Sequence, residues 1–127
     1  MDAQQFASEV TRLLKPLGFG KSSATWRKDY GESIAVLNVQ KSQWGGGTYY
    51  VNVGTYFKAL GADTAPPENV CHVQERIPID APETVVQVAL DWFSSHSTYA
   101  GLRGLQAANR LQGKGLVMKV LVDAIST

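Results

Sequence analysis

Two strand-like runs separated by three glycines constrain the fold of this chain more than any other feature. Residues 33–42 read SIAVLNVQKS, and residues 48–57 read TYYVNVGTYF. In both runs the odd positions are mostly apolar or aromatic, and successive side chains of a strand point to opposite faces of a sheet. The glycines between them readily adopt the positive φ angles that a tight connection needs. The pattern therefore predicts an antiparallel hairpin whose odd positions face the core.

The shared parity of the two runs also limits the register of this hairpin. Odd positions of both strands share one face only if directly paired residue numbers sum to an even value, which requires an odd loop length. A three-residue loop at 45–47 meets this condition and predicts Gln40 opposite Asn52 on the face away from the core. A four-residue loop would instead place Val39 opposite Asn52 and bury an amide, which is costly without a hydrogen bond.

Helix and strand patterns continue on both sides of the hairpin. Asp2 and Gly18 supply a start and a stop for an amphipathic helix, Asp80 begins a capping-box spacing, and Thr98 can cap a weaker helix. Residues 115–125 fit a helix or a strand, and we favour a helix because helical segments precede them. Helices are thus expected over 2–15, about 80–95 and from 98 onward, and strands over 24–30, 33–42, 48–57 and 70–77.

This order of elements predicts the fold class. One helix, four strands joined by short turns and two or three further helices make an α+β pattern. Consecutive strands usually pair as neighbours, so the strands are expected to form an antiparallel meander. The helices then pack on one sheet face, and residues 1–127 form a single domain.

The sheet face away from the helices, called here the outer face, is predicted to be rich in amides and aromatic rings. In the fourth strand Cys71 fits the buried side, so His72 and its alternate neighbours join the outer face. Amides, tyrosines and an arginine are unusual on a merely solvated sheet side, which is the alternative interpretation. The candidate binding residues are Asn38, Gln40, Trp44, Tyr50, Asn52, Tyr56, His72, Gln74 and Arg76.

No catalytic residue, metal site or cofactor is predicted. GFGKSS resembles the end of a phosphate-binding loop, but the first glycine of that motif would fall on Lys15, and the segment follows a helix. Cys71 and His72 are adjacent in a predicted strand and point to opposite faces, so they cannot readily share a metal. No nucleophile elbow or zinc-protease motif occurs.

Charge and hydropathy exclude further classes of partner. The net charge of +1 favours neither nucleic acid nor an anionic membrane, and no apolar run is long enough to span a bilayer. The polar, acidic start does not resemble a signal peptide. The single cysteine, Cys71, excludes an internal disulfide, and these features together indicate a cytoplasmic protein.

Four segments resemble a known bacterial family. LLKPLGFGK, TWRKDY, VLNVQKSQWGGGTYYVNVGTY and CHVQERI, in this order and spacing, are similar to the family called domain of unknown function 4304 over roughly residues 5–95. The tail from Thr98 onward is not matched. The resemblance implies a small cytosolic bacterial protein without an established activity or catalytic residues. By analogy with other small α+β bacterial proteins, it also suggests an immunity partner to a toxin.

Two functional hypotheses follow. The first is a non-enzymatic module that binds a protein partner through the outer face and Trp44, because Tyr, Trp and Arg are enriched among interface anchors. The second is a small-molecule site or an enzyme on the same face. There Arg76 would hold an anion, His72 would transfer a proton, and Tyr56 and Gln74 would add polar contacts.

Overall fold

The computed structural model of the chain describes residues 1–42, 47–111 and 115–126. Its order of helices and strands confirms the predicted α+β class. The helices are α1 (Ala3–Leu14), α2 (Pro82–His96), α3 (Tyr99–Ala107) and α4 (Lys119–Ile125). The strands are β1 (Gly20–Ser22), β2 (Thr25–Asp29), β3 (Ser33–Lys41), β4 (Tyr49–Phe57), β5 (Val73–Ile77) and β6 (Leu116–Val117).

The strands form one antiparallel sheet in chain order, from β1 to β6. The predicted meander corresponds to β2–β5, and β1 and β6 extend it at the two edges. These edge strands contain only 3 and 2 residues, which is too short to show an alternating pattern in sequence. The ambiguous residues 115–125 contain both a strand, β6, and a helix, α4.

The predicted parity of the β3–β4 hairpin is confirmed. Leu37 pairs with Val53, and Val39 pairs with Val51. All four side chains are buried in the core that the helices cover. Each contributes about 1.5–3 kcal/mol of apolar burial before entropy is counted, so a one-residue slip of either strand would be strongly disfavoured.

The individual pairs predicted for this hairpin are wrong. Asn52 lies opposite Asn38 rather than Gln40, and Gln40 lies opposite Tyr50. Paired residue numbers sum to an even value in both registers, so parity cannot distinguish them. The observed register is shifted by two residues from the predicted one, and among the described residues the Ser42 amide donates to the Thr48 carbonyl at 2.9 Å, although Ser42 was expected opposite Tyr50.

The tip of the hairpin is described only in part. Residues 43–46 lie outside the described residues, and with them Trp44, the predicted exposed anchor, and two glycines of the predicted loop. Gly47 is described and lies in a turn with φ +71°, in the left-handed region that glycine adopts without strain.

The helices pack on the odd-numbered face of the sheet, as predicted. Phe6 and Val10 of α1 and Phe93 of α2 are buried against the apolar side chains of β3 and β4. Trp26 joins this core, and its indole Nε1 donates to Thr11 Oγ1 at 3.1 Å. No helix in the described parts of the chain is both long enough and apolar enough to cross a bilayer.

Two of the three predicted N-cap residues, Asp2 and Thr98, cap their helices in the structure. The Gln5 amide donates to Asp2 Oδ1 at 2.8 Å, and Thr98 caps α3 through the Gly101 amide at 3.0 Å. The prediction that Asp80 caps α2 is wrong, because Ala81 is the N-cap and Pro82 is the first helical residue. Proline suits that position since its fixed φ is already helical and its missing N–H would have no partner.

Candidate functional site

The outer face is divided into a covered half and an open half. Residues 58–72 pack on one half of this face and are hydrogen-bonded to it. Arg27 Nε donates to the Pro66 carbonyl at 2.8 Å, and the Asp63 amide donates to Tyr56 Oη at 3.2 Å. Beneath this segment lies a second, smaller apolar cluster formed by Ile34, Val36, Tyr56 and Cys71.

The Cys71 side chain lies in the covered half of the outer face. The prediction that it faces the helix-covered core is therefore wrong. β5 begins only at Val73, and the strand alternation therefore does not extend back to Cys71. Its side chain fills the space over Gly54, where an added Cβ would lie 2.7 Å from Cys71 Cβ and 3.0 Å from Sγ. Burial raises the pKa of the Cys71 thiol, which disfavours the reactive thiolate.

Two predicted binding residues, Tyr56 and His72, belong to the covered half. Only 7% of Tyr56 and 5% of His72 is exposed, and their ring centroids lie 4.5 Å apart. His72 Nδ1 accepts a 2.9 Å hydrogen bond from the Phe57 amide, so its proton lies on Nε2. Burial lowers the pKa of His72 and favours this neutral form. Both rings are thus packed inside the protein rather than presented to a ligand.

The other described candidates, Asn38, Gln40, Tyr50, Asn52, Gln74 and Arg76, belong to the open half. Their centre is a chain of side-chain amides. Asn52 Nδ2 donates to Gln40 Oε1 at 3.1 Å and approaches Asn38 Oδ1 at 3.4 Å, while Asn38 Nδ2 lies 3.2 Å from Thr25 Oγ1. Asn52 is thereby oriented with its Oδ1 free to accept from another residue.

Arg76 is held by Asn52 and Tyr50. Its Nε donates to Asn52 Oδ1 at 3.2 Å, and its Cζ lies 4.1 Å from the centroid of the Tyr50 ring. Such cation–π contacts contribute about 0.5–1 kcal/mol at exposed sites. Among the described residues no acceptor bonds the two Nη groups of Arg76, whose fork matches a carboxylate or phosphate.

Glu68 is a member of this surface that the sequence did not indicate. It lies in the short 3₁₀ turn Glu68–Val70, within a loop whose composition has no helical or strand period. Burial raises the pKa of Glu68 to about 7, and the nearby Arg76 cation opposes this with a smaller effect. Near neutral pH the carboxyl can therefore change charge beside the guanidinium.

Two depressions flank Arg76 on the open half. The polar depression has a volume of about 410 Å³, and Gln74 is held within it by a 2.9 Å bond from Nε2 to the Cys71 carbonyl. It is lined by Gln40, Asn52, Glu68, Gln74, Arg76 and Leu116, among others. The apolar depression, of about 450 Å³, is lined by Tyr50, Arg76, Ile77, Pro78 and Ile79.

An anion can reach Arg76 while an apolar group occupies the adjacent apolar depression. Within the described residues, no three His, Cys, Asp or Glu side chains are grouped so that they could hold a metal ion.

Comparison with known proteins gives one result. The model of the family described as "Domain of unknown function (DUF4304)" matches residues 10–98. This range contains every described lining residue of the two depressions except Gly115 and Leu116. No curated protein and no solved structure matches the chain.

Proposed function

This chain belongs to the DUF4304 family, and we propose that it is a non-enzymatic module that binds another protein through the open half of its outer face. The observation that carries this proposal is the fixed geometry of Arg76. Its guanidinium is stacked on Tyr50 and bonded to Asn52 before any partner arrives. Preorganisation of this kind lowers the entropy lost on binding, and Arg and Tyr are typical anchors of protein interfaces.

The shape of the surface favours a protein over a small molecule. The polar and apolar depressions are shallow and lie side by side on one continuous surface, so neither would bury most of a small ligand. Apolar side chains also remain exposed at the edge, with Ile79 48% and Leu116 51% accessible. A protein surface that offers a carboxylate to Arg76 and an apolar side chain to Ile79 would cover both depressions at once.

The small-molecule or enzyme alternative loses support in this structure. It depended on His72 for proton transfer and on Tyr56 for a polar contact, and both side chains are buried in the covered half. Arg76 and Gln74 remain accessible to a ligand, but neither is suited to move a proton. A cytoplasmic location belongs to the proposal as well, supported by the free, buried thiol of Cys71.

Affinity capture from the native cell extract tests the proposal with matched variants. We expect wild-type protein to retain a defined partner that Arg76→Ala and Tyr50→Ala lose, since truncating an interface anchor typically costs about 2 kcal/mol or more. Arg12→Ala is the control, because Arg12 is an exposed arginine on the helix side, in an ion pair with Glu9 at 2.7 Å. The proposal fails if Arg76→Ala and Arg12→Ala retain the same proteins in the same amounts.

A further inference from the structure

A third depression lies on the opposite side of the sheet from the open half. It is formed where β5 meets α2 and the residues that follow α3, and its volume is about 670 Å³. Small-molecule sites usually measure about 300–1,000 Å³ and combine apolar walls with a few polar groups. This helix-side cavity has such a lining, which includes Glu75, Val88, Asp91, Trp92, His96 and Arg110.

One wall of the helix-side cavity is a rigid aromatic stack. The rings of Trp92 and His96 lie parallel, with centroids 4.0 Å apart and an interplanar angle of 7°. His96 Nδ1 lies 2.8 Å from the Trp92 carbonyl, which can only accept, so this nitrogen carries the proton. Burial lowers the pKa of His96 and favours the neutral ring. On the other side, Trp92 Nε1 donates to Glu75 Oε1 at 3.4 Å.

The charged groups of the cavity are not paired with each other. Neither Glu75 nor Asp91 has a basic group within 4.0 Å in the described part of the chain, and the same residues offer no carboxylate to Arg110. Glu75 is half-buried, and its long contact with Trp92 leaves acceptor capacity unused. Asp91 and Arg110 are exposed at the rim, where Asp91 Oδ1 accepts from Gln87 Nε2 at 2.9 Å. Their charges and the unused acceptor capacity of Glu75 are therefore accessible to a ligand with groups of opposite charge.

We propose that the helix-side cavity binds a small zwitterion of the α-amino acid type. Its ammonium group bonds to the carboxylates of Glu75 and Asp91, and its carboxylate bonds to Arg110. Its side chain packs on the apolar wall beside Trp92 and Val88. A ligand with both charges neutralises groups of both signs in one cavity, which neither a simple amine nor a simple acid does.

Nuclear magnetic resonance of the indole N–H groups tests this proposal on the intact chain. Each of the twenty common amino acids is titrated, and each one that binds is compared with its decarboxylated amine and its deaminated acid. At least one amino acid should shift the Trp92 Nε1–H signal. The Trp26 signal should stay in place, because that indole is buried against α1 and bonded to Thr11.

Three variants separate this site from the outer face. Glu75→Gln keeps an oxygen that accepts from Trp92, so the fold is retained while affinity should fall at least about tenfold. Arg110→Gln should give a similar loss. Arg76→Ala, which alters the next residue of β5 on the other sheet face, should leave amino acid binding unchanged whether or not it abolishes protein capture. The proposal is overturned if no amino acid shifts Trp92, if the amine or the acid binds equally well, or if Glu75→Gln binds like wild type.

Discussion

Val51→Asn should be among the most destabilising single substitutions in this chain. Val51 is 0% exposed and lies between Val39 and Ile77 in the middle of the sheet. The change removes about 1.5–3 kcal/mol of apolar burial and leaves an amide without a partner at about 1–3 kcal/mol. The sum, about 3–6 kcal/mol, approaches the whole free energy of unfolding of a small domain, about 5–15 kcal/mol.

Urea unfolding followed by tryptophan fluorescence measures this effect. With a slope of about 2 kcal/mol per molar urea, the midpoint should fall by about 1.5–3 M. Val88→Asn is the matched control, since Val88 is 41% exposed on α2 and valine and asparagine have similar helix propensities. Its cost should stay near 0.5 kcal/mol. If Val51→Asn does not fold, Val51→Thr provides a milder buried polar change. Equal losses at positions 51 and 88 would refute the register and the buried face.

Three further predictions, each measured by urea unfolding, concern the outer face and two of its titrating groups. Gly54→Ala places a Cβ 2.7 Å from Cys71 Cβ and should lower the free energy of unfolding by about 1–3 kcal/mol. Adding Cys71→Gly should recover part of this loss. If it recovers none, the contact between positions 54 and 71 is not the cause. Burial lowers the pKa of His72, so the unfolded chain binds the proton first as the pH falls below about 6.5. Relative to His72→Gln, wild type should therefore lose stability as the pH falls from about 7 to 5, and a pH-independent difference between the two would contradict the buried ring. The pKa of Glu68 is raised from 4.5 to about 7, so the stability that its protonated form contributes is lost as the pH rises between these values. The free energy of unfolding of Glu68→Gln minus that of wild type should therefore increase as the pH rises from about 4 to 8. A difference that does not change with pH would exclude the shift.

The sheet and its buried face were predictable because alternation is a local signal. Val39, Val51 and Val53 can share one face in only one parity, and the helices that follow supply the cover. Parity cannot distinguish registers that differ by two residues, however. The choice between Gln40 and Asn38 as the partner of Asn52 depends on the position at which the chain turns between the strands, which the apolar pattern does not report.

The division of the outer face could not be predicted, because it depends on where an irregular loop returns. Residues 58–72 carry no period that reveals a packing surface. Their contacts with Arg27 and Tyr56 join positions far apart in the chain. For the same reason the sequence placed His72 on an accessible face and did not indicate Glu68. The tyrosine, amides and arginine of the open half were correctly placed on one sheet face because β3, β4 and β5 are regular there.

Site-specific photo-cross-linking in the native cell tests the proposed binding surface most directly. Benzoylphenylalanine in place of Gln40, at the edge of the polar depression, should yield a discrete adduct with one partner protein, and adding Arg76→Ala should abolish it. The same probe in place of Gln87, an exposed glutamine on α2 and thus on the helix side, should not yield that adduct. No adduct at position 40, or the same adduct in equal yield at position 87, would contradict the assignment of the open half as the protein-binding surface.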